Sequence, residues 1–304
     1  MAAPLTNAEL RRILRELTKQ QLALEAQADA MEGAFQKQLL RAQARTFERI
    51  SAIIEDAPRF SDLTRDERLR WWIDHQAELE RATDRAGYNS AVRQYVNALP
   101  EFSKFTEGMA SAQGQKFFEL SEGMMKALQQ GTQTRFIGLR TAAEQRLNDI
   151  LFHEVLVGQS KSGSLATLRG AIRGEYKWGQ RKGLYEWHAT TYARTAHIRV
   201  ARQISGDQAE AAGIDDNFLY LGPVDEKTRA FCLARVGNVF SRKDITGMSN
   251  GQGADVADVF TNGGGWNCRH SWIAVTPGLK GAIERAKGLT KQVTSERPAA
   301  RVAG

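Results

Sequence analysis

The chain has 304 residues, of which 42% are hydrophobic and 25% are charged, and its formal net charge is +7. This is the composition of a globular protein, and the length is enough for two domains. No uninterrupted apolar run of about 18 residues is present and no basic-then-apolar leader opens the chain, so neither a transmembrane helix nor a secretory signal is expected. Two cysteines are too few for a disulfide framework, which favours synthesis in a reducing cytoplasm.

The first sixty residues predict one long helix. Thr6 and Glu9 have capping-box spacing. Apolar side chains then recur in steps of three and four, with Gln21 in the same stripe, at Leu10, Leu14, Leu17, Leu24, Ala28, Met31 and Phe35. Pro58 ends the pattern, so a helix of roughly 45–50 residues is predicted, about 70 Å long. Such a helix suits either an arm that docks on an oligomeric partner or a long helix within a bundle.

Three further helices are predicted before residue 160. A second capping box at Thr64–Glu67 opens a helix that Pro100 closes. Residues 102–130 and 133–157 carry apolar side chains at helical spacing. The stretch at 158–164 is rich in glycine and serine, which is typical of a linker.

The C-terminal part predicts a small mixed module. A basic helix is expected at 180–204, and a helix capped by Asp225 is expected at Asp225–Arg235. Strands are predicted at Phe218–Leu221, Val239–Phe240 and Ser271–Val275. The predicted fold class is therefore mainly α, with a long-helix N-terminal helical domain followed by a small α+β C-terminal module. Its divisions are a helical docking or arm domain at 1–160, the α+β module at 161–277 and a basic, flexible tail at 278–304.

Basic residues flank this module on both sides. Residues 161–205 contain nine basic and two acidic side chains, and residues 278–304 contain six and two. Such a distribution favours a polyanionic partner such as DNA, and arginines interleaved with aromatics suit phosphate contacts and base stacking. A solvated basic helix and a loose tail would produce the same pattern. The candidates for nucleic-acid contact are Arg194, Arg199, Arg202, Lys280 and Lys287.

Both cysteines lie in the module, and four interpretations of them stay open. Cys232, Cys268 and His270 are ligand types that zinc accepts, but a fourth ligand would have to come from His188, His197 or an aspartate. The second interpretation is a disulfide or a close thiol pair, and the third is two small buried side chains, which the pattern favours. A Cys268–His270 nucleophile and base would instead indicate a DNA-acting, nuclease-like enzyme. No catalytic residue and no cofactor is assigned.

Three segments together resemble the C-terminal domain of the Mu F-like family, which comprises minor head or head-morphogenesis proteins of tailed bacteriophages. They are Ala193-Arg194-Thr195, Asp225-x-x-Thr228-Arg229-x-x-Cys232 and Asn267-Cys268-Arg269. The resemblance covers roughly 185–277. Gly265 and Trp266 stand where the family has His-Pro, and His270 replaces its last cysteine. The resemblance implies fold-defining contacts for Arg194, Thr195, Asp225, Thr228, Arg229, Cys232, Asn267, Cys268 and Arg269.

The resemblance also implies a function. It is that of a non-enzymatic virion protein, made in the host cytoplasm and located in the capsid interior near the portal vertex. The implied partners are the portal protein, the major capsid protein and packaged double-stranded DNA, with no membrane. The implied role is in head assembly and in DNA packaging or ejection. A plain nucleic-acid-binding protein without a capsid role is the remaining alternative.

Overall fold

A computed structural model describes residues 5–114, 122–174, 183–185, 188–214 and 216–286. These residues are mainly helical and include a small three-stranded sheet near the C-terminus, which confirms the predicted fold class. Within these ranges, none of the helices combines the length and the apolar character needed to cross a bilayer. The helices are α1 (Asn7–Asp56), α2 (Arg65–Asp84), α3 (Tyr88–Asn97), α4 (Ser103–Ala112), α5 (Glu122–Leu156), α6 (Lys161–Arg173), α7 (Arg194–Ala211), α8 (Ala230–Leu233), α9 (Arg242–Thr246), α10 (Val259–Asn262) and α11 (Pro277–Arg285). The strands are β1 (Asn217–Leu221), β2 (Val239–Ser241) and β3 (Ser271–Ala274).

The predicted long helix is confirmed as α1, which has 50 residues. The Thr6 backbone N–H donates to Glu9 Oε2 at 2.8 Å and the Glu9 N–H donates to Thr6 Oγ1 at 3.2 Å, so the capping box is formed. The apolar stripe is buried at Leu10, Leu17 and Leu24. A sustained period over many turns is the strongest local signal in the chain, and it predicts this element correctly.

The helix predicted between Thr64 and Pro100 is divided in two. Gly87 lies between α2 and α3 with φ of 103°, a conformation that glycine adopts without the steric cost of a Cβ. The helix predicted at 102–130 is not continuous either, because α4 ends at Ala112 and α5, which also contains most of the helix predicted at 133–157, begins at Glu122. Residues 115–121 lie outside the described part of the chain.

The predicted linker at 158–164 was wrong, because its serine caps a helix. Ser160 precedes α6 and its Oγ accepts the Gly163 backbone N–H at 3.1 Å. Small polar residues are typical both of linkers and of helix N-caps, and composition alone does not separate the two.

The basic helix predicted at 180–204 is α7, which starts later, at Arg194. A π-helical segment, His188–Ala193, precedes it. The tail prediction was wrong over 278–285, because the Thr276 hydroxyl caps α11 and Pro277 occupies its first position. Residues 287–304 lie outside the described residues.

The three predicted strands are confirmed, and β1 is the central one. It pairs antiparallel with β2 and with β3, with Phe218 opposite Phe240 and Tyr220 opposite Trp272. The helix predicted at Asp225–Arg235 was wrong. Residues 225–228 form a turn, and only α8 follows it.

The chain divides into two compact units. Unit 1 contains Met1–Ala30, Leu99–Leu128 and Arg194–Gly304, and unit 2 contains Met31–Ala98 and Gln129–Ala193. Each unit thus combines segments that are distant in sequence, whereas the sequence predicted consecutive divisions at 160 and 277. The core of unit 1 covers the sheet, with buried side chains that include Phe218, Tyr220, Val236, Phe260 and Trp272. A core cluster of unit 2 lies between helices, with buried side chains that include Ile50, Ile54, Trp71, Leu151 and Leu168.

Candidate functional site

The residues that carry the family resemblance meet within unit 1, and Arg269 is at their centre. One residue separates Arg269 from the start of β3, and Asp225 lies in the turn after β1. Their pairing is bidentate, with Nη1 to Oδ2 at 2.7 Å and Nη2 to Oδ1 at 2.5 Å. These donated hydrogen bonds hold the pKa of the Asp225 carboxyl below its ordinary value. The same pairing raises the pKa of Arg269.

The turn at 225–228 presents the Asp225 carboxylate to Arg269. The Asp225 backbone N–H donates to Thr228 Oγ1 at 2.9 Å, and Thr228 Oγ1 lies 3.0 Å from the carbonyl oxygen of Pro223, to which it donates. The Lys227 N–H donates to Asp225 Oδ1 at 3.0 Å. The Asp-x-x-Thr segment is therefore a side-chain-closed turn, which is why it does not continue as the predicted helix.

The first part of α1 also contacts Arg269. Gln21 Nε2 donates to the Arg269 carbonyl oxygen at 2.9 Å, and Glu25 Oε1 lies 3.4 Å from Arg269 Nη1. Arg194 lies 3.7 Å from Glu25 and also pairs with Asp29. Burial raises the pKa of Glu25, although Arg269 and Arg194 act in the opposite direction. The sequence analysis missed these partners, and the one signal for them was Gln21, a polar residue inside an apolar stripe.

The first and third motif segments are joined by a hydrogen bond from a backbone N–H to a side-chain oxygen. The Asn267 N–H donates to Thr195 Oγ1 at 3.0 Å, and Asn267 has φ of 57°, a left-handed conformation that asparagine tolerates better than most residues. Arg229 Nη1 donates to the Gly264 carbonyl oxygen at 3.1 Å. We name the following set the clasp: Gln21, Glu25, Arg194, Thr195, Asp225, Thr228, Arg229, Asn267 and Arg269.

A second group of side chains, which we name the thiol cluster, consists of Tyr220, Cys232, Cys268 and His270. The two sulfurs are 3.7 Å apart and the Tyr220 hydroxyl is 3.4 Å from each of them. His270 Nδ1 is 4.0 Å from Cys268 Sγ. Both thiols are free, and Cys232 and Cys268 are 2% and 4% exposed. The sulfurs are thus in contact, as the thiol-pair interpretation expects, and buried, as the apolar interpretation expects.

The environment of the two thiols differs. The hydrogen bond with Cys232 holds the pKa of Cys268 well below its ordinary value, and the Arg202 guanidinium and His270 act in the same direction. The hydrogen bond with Cys268 and burial both raise the pKa of Cys232. Burial also raises the pKa of Tyr220. Of the two thiols, Cys268 therefore has the lowered pKa and Cys232 the raised one.

Three members of the thiol cluster have metal-ligand chemistry, since potential ligand atoms of Cys232, Cys268 and His270 all lie within 4.8 Å of one another. Of the fourth ligands considered from the sequence, His197 does not join them, because it packs edge-on against Phe102 at 5.0 Å between ring centroids. The side chain of His188 is outside the described part. Burial also argues against the nucleophile interpretation, because a macromolecular substrate has no access to a thiol that is 4% exposed.

The predicted nucleic-acid contacts have different environments. Arg202 is 1% exposed and donates to the carbonyl oxygens of Thr261, Cys268 and His270, so the nucleic-acid contact predicted for it was wrong. A basic helix predicts a solvated face, but this arginine is a core residue. For the others the contact stays a prediction. Arg194 pairs with acidic side chains, Arg199 Nε donates to Asn262 Oδ1 at 2.9 Å, Lys280 Nζ donates to Asn217 Oδ1 at 2.8 Å, and Lys287 lies outside the described residues.

A basic groove that the sequence analysis did not identify lies on unit 1. Its cavity has a volume of about 800 Å³. Three exposed arginines, Arg11, Arg12 and Arg15, line it, together with Lys19 and Glu16, which pair at 3.6 Å, and with Ser111 and Ala112 of α4. Among the described residues, none of the three arginines has a carboxylate within ion-pair distance. The sequence signal was the spacing of these arginines within about one turn of α1, opposite its apolar stripe.

Comparisons with models of protein families, with curated proteins and with solved structures find no match for this chain. The Mu F-like interpretation is therefore carried by the residues and spacing of the three segments alone.

Proposed function

We propose that this chain is a minor head protein of a tailed bacteriophage, and that it acts by binding rather than by catalysis, in the capsid interior near the portal vertex. One observation carries the proposal: each motif segment supplies a partner for another. Asp225 pairs with Arg269, Thr195 accepts from Asn267, and Cys232 contacts Cys268. Residues whose order defines a family are expected to make mutual contacts where they specify a shared fold, and these residues do so.

The non-catalytic role is supported by where the reactive groups lie. The two thiols and the imidazole of the thiol cluster are buried, and the Asp225 carboxylate is engaged by two guanidinium nitrogens. A general base or a nucleophile needs access to its substrate. In this site the reactive groups face one another instead.

The portal and the major capsid protein are the partners we propose for α1. A helix of 50 residues is about 75 Å long and has many exposed polar positions along its length. An extended helical surface suits attachment to an oligomeric ring or shell, because it can cover more than one subunit.

The direct test is the protein content of particles. In the phage that encodes this chain, we expect mass spectrometry to detect it in purified procapsids and in mature virions. The chain being absent from both would overturn the proposal. An Asp225→Asn protein supplied in trans to a deletion phage should be incorporated poorly, whereas Asp74→Asn, which alters an exposed carboxylate of α2, should be incorporated at the wild-type level.

A second function, contact with packaged double-stranded DNA, is favoured by the basic groove. Three exposed arginines in one groove provide the charge that backbone phosphates require, while Lys19 of the same groove pairs with Glu16. Replacing Arg11, Arg12 and Arg15 together by alanine should weaken DNA binding and reduce the salt slope of the affinity by about 0.9 for each phosphate that the protein no longer neutralises. The control replaces Arg65, Arg70 and Arg93, which are exposed in unit 2, and has the same net charge. Equal decreases in affinity for both triple variants would argue against the groove.

A further inference from the structure

The distances inside the thiol cluster match those between ligands of one tetrahedral metal ion. Two sulfurs bound to zinc at ~2.3 Å lie ~3.8 Å apart, whereas a disulfide joins them at ~2.05 Å. The distance between Cys232 Sγ and Cys268 Sγ is 3.7 Å. An oxygen ligand at ~2.0–2.2 Å from the same ion lies ~3.5 Å from each sulfur. The Tyr220 hydroxyl is 3.4 Å from both.

His270 completes the set of donors. The side chain is 2% exposed, and among the described residues its Nε2 has no hydrogen-bond partner. The other ring nitrogen, Nδ1, lies 4.0 Å from Cys268 Sγ, so the imidazole is directed at the thiols through this atom. A ring nitrogen of His270 lies within 4.8 Å of both sulfurs, and the ring stacks on Tyr220 with a centroid distance of 5.2 Å and an interplanar angle of 14°.

The backbone is shaped around these donors. The Gly264 N–H donates to Cys268 Sγ at 3.2 Å, and such hydrogen bonds are the ones that outer-shell groups make to metal-bound thiolates. A Cβ at Gly264 would lie 2.6 Å from Cys232 Sγ, and a Cβ at Gly222 would lie 2.5 Å from the His270 ring. Both glycines therefore allow the main chain to enclose the donors more closely than any other residue would.

The charge around the thiol cluster requires compensation. The buried Arg202 guanidinium donates to the carbonyl oxygens of Cys268 and His270, and among the described residues it has no carboxylate partner. A buried charge without a counter-charge is strongly unfavourable. Two thiolates and a phenolate around one divalent ion sum to −1, which balances this guanidinium.

From this geometry we infer that the thiol cluster is a structural zinc site in which Cys232, Cys268, His270 and Tyr220 supply the four donors. Zinc is the ion that accepts sulfur and nitrogen ligands in a tetrahedron without redox chemistry. All four positions are filled by the protein, so the site is closed and its role is to hold the end of β1, α8 and β3 together. The inference is independent of the phage function proposed above.

The first experiment measures metal content. The full chain is purified under reducing conditions from cells grown with zinc, and zinc is quantified by elemental mass spectrometry. We expect about one zinc ion per chain in the wild type and in His153→Asn, which alters an exposed histidine, and loss of most of the zinc in Cys268→Ser and Cys232→Ser. Absence of zinc after reconstitution of the wild type would overturn the inference.

The second experiment uses the wild type and Tyr220→Phe, so that it does not depend on folding of the cysteine variants. Cobalt(II) is added to the apo-protein and the absorption spectrum is recorded. In the wild type we expect thiolate-to-cobalt charge-transfer bands and the intense visible bands of tetrahedral cobalt. In Tyr220→Phe we expect the affinity for cobalt(II) to be about 10-fold or more weaker, because one ligand is removed. Octahedral cobalt without thiolate bands would overturn the proposed site. An unchanged affinity for cobalt(II) in Tyr220→Phe would show that the tyrosine is not a ligand, and the proposal of a closed site with four protein donors would then be wrong.

Discussion

In unit 2 the interior is built mainly from apolar and aromatic side chains. In unit 1 it also contains polar side chains, which form hydrogen bonds with residues distant in sequence. The rings of Phe35, Tyr95 and Phe136 pack against one another in unit 2, with centroid distances of 4.7 to 5.2 Å. In unit 1 the buried Arg202 bonds to residues about 60 positions away, and Gln21 bonds to the carbonyl oxygen of Arg269 across 248 positions.

This difference predicts different tolerance to substitution. An apolar core keeps most of its stability when a side chain is exchanged for another of similar volume. A buried polar network requires each member, because a donor or acceptor left without a partner loses its solvation without compensation. Unit 2 should therefore tolerate conservative changes that unit 1 does not.

The largest loss is expected for Arg202→Met in unit 1. The change leaves two buried carbonyl oxygens and one partly buried one without this donor, and we expect the free energy of unfolding to fall by about 3–5 kcal/mol. Arg202→Lys should recover little, because an ammonium group does not reproduce the planar fork of donors. Urea unfolding followed by circular dichroism measures both. Arg229→Met removes a single bond, to Gly264, and a loss as large as that of Arg202→Met would contradict the network argument.

The next largest loss is expected for Phe136→Ala in unit 2, at about 3–4 kcal/mol, because a ring that is 1% exposed leaves a cavity. Phe136→Leu should keep most of the stability, with a loss of about 1.5 kcal/mol or less. The same urea experiment measures the series. Phe152→Ala, at 37% exposure in the same helix, is the control and should cost less than about 1 kcal/mol. A Phe136→Leu protein as unstable as Phe136→Ala would remove the contrast with Arg202→Lys.

The same difference explains how much could be predicted from the sequence. The long helix α1 and the three strands were predictable, because a local period repeats in each of them. The burial of Arg202 was not, since an arginine in a basic helix has the same local pattern whether its carbonyl partners exist or not. The contact of Gln21 with Arg269 joins residues near opposite ends of the chain, and no local sequence pattern predicts it.

Part of the candidate site was predictable for another reason. The spacing of Asp225, Thr228 and Arg229 and of Asn267, Cys268 and Arg269 resembles a family pattern, and in the structure Asp225 pairs with Arg269. Their local structure was predicted less well. Asp225 has the chemistry of a helix N-cap and also that of a turn, and the position of Arg269 decides between the two.

The pairing of Asp225 with Arg269 predicts a pH dependence for unit 1. The pKa of Asp225 is lowered in the folded state, so between that pKa and the ordinary value of about 3.9 the unfolded chain binds more protons. The stabilisation by this pair is present above about pH 4 and is lost as the pH falls further. We expect Asp225→Asn to lower the free energy of unfolding by about 1.5–3 kcal/mol at pH 7, with a smaller difference from wild type at pH 3. Asp74→Asn is the control, and a difference that stays constant with pH would contradict the pairing.

The smallest losses in the free energy of unfolding are expected when one hydroxyl group is removed from each unit. Tyr88→Phe removes a hydroxyl that donates to the Phe136 carbonyl oxygen at 3.0 Å. That oxygen is inside α5 and keeps its intrahelical partner, so we expect a loss of only about 0.5–1 kcal/mol. Thr228→Val removes the acceptor of the Asp225 N–H and should cost about 1–2 kcal/mol, although Thr228 is closer to the surface. Urea unfolding of the two variants in parallel measures the difference between these two losses in the free energy of unfolding. If Tyr88→Phe were the more costly, burial rather than the loss of a hydrogen-bond partner would decide the stability of these contacts.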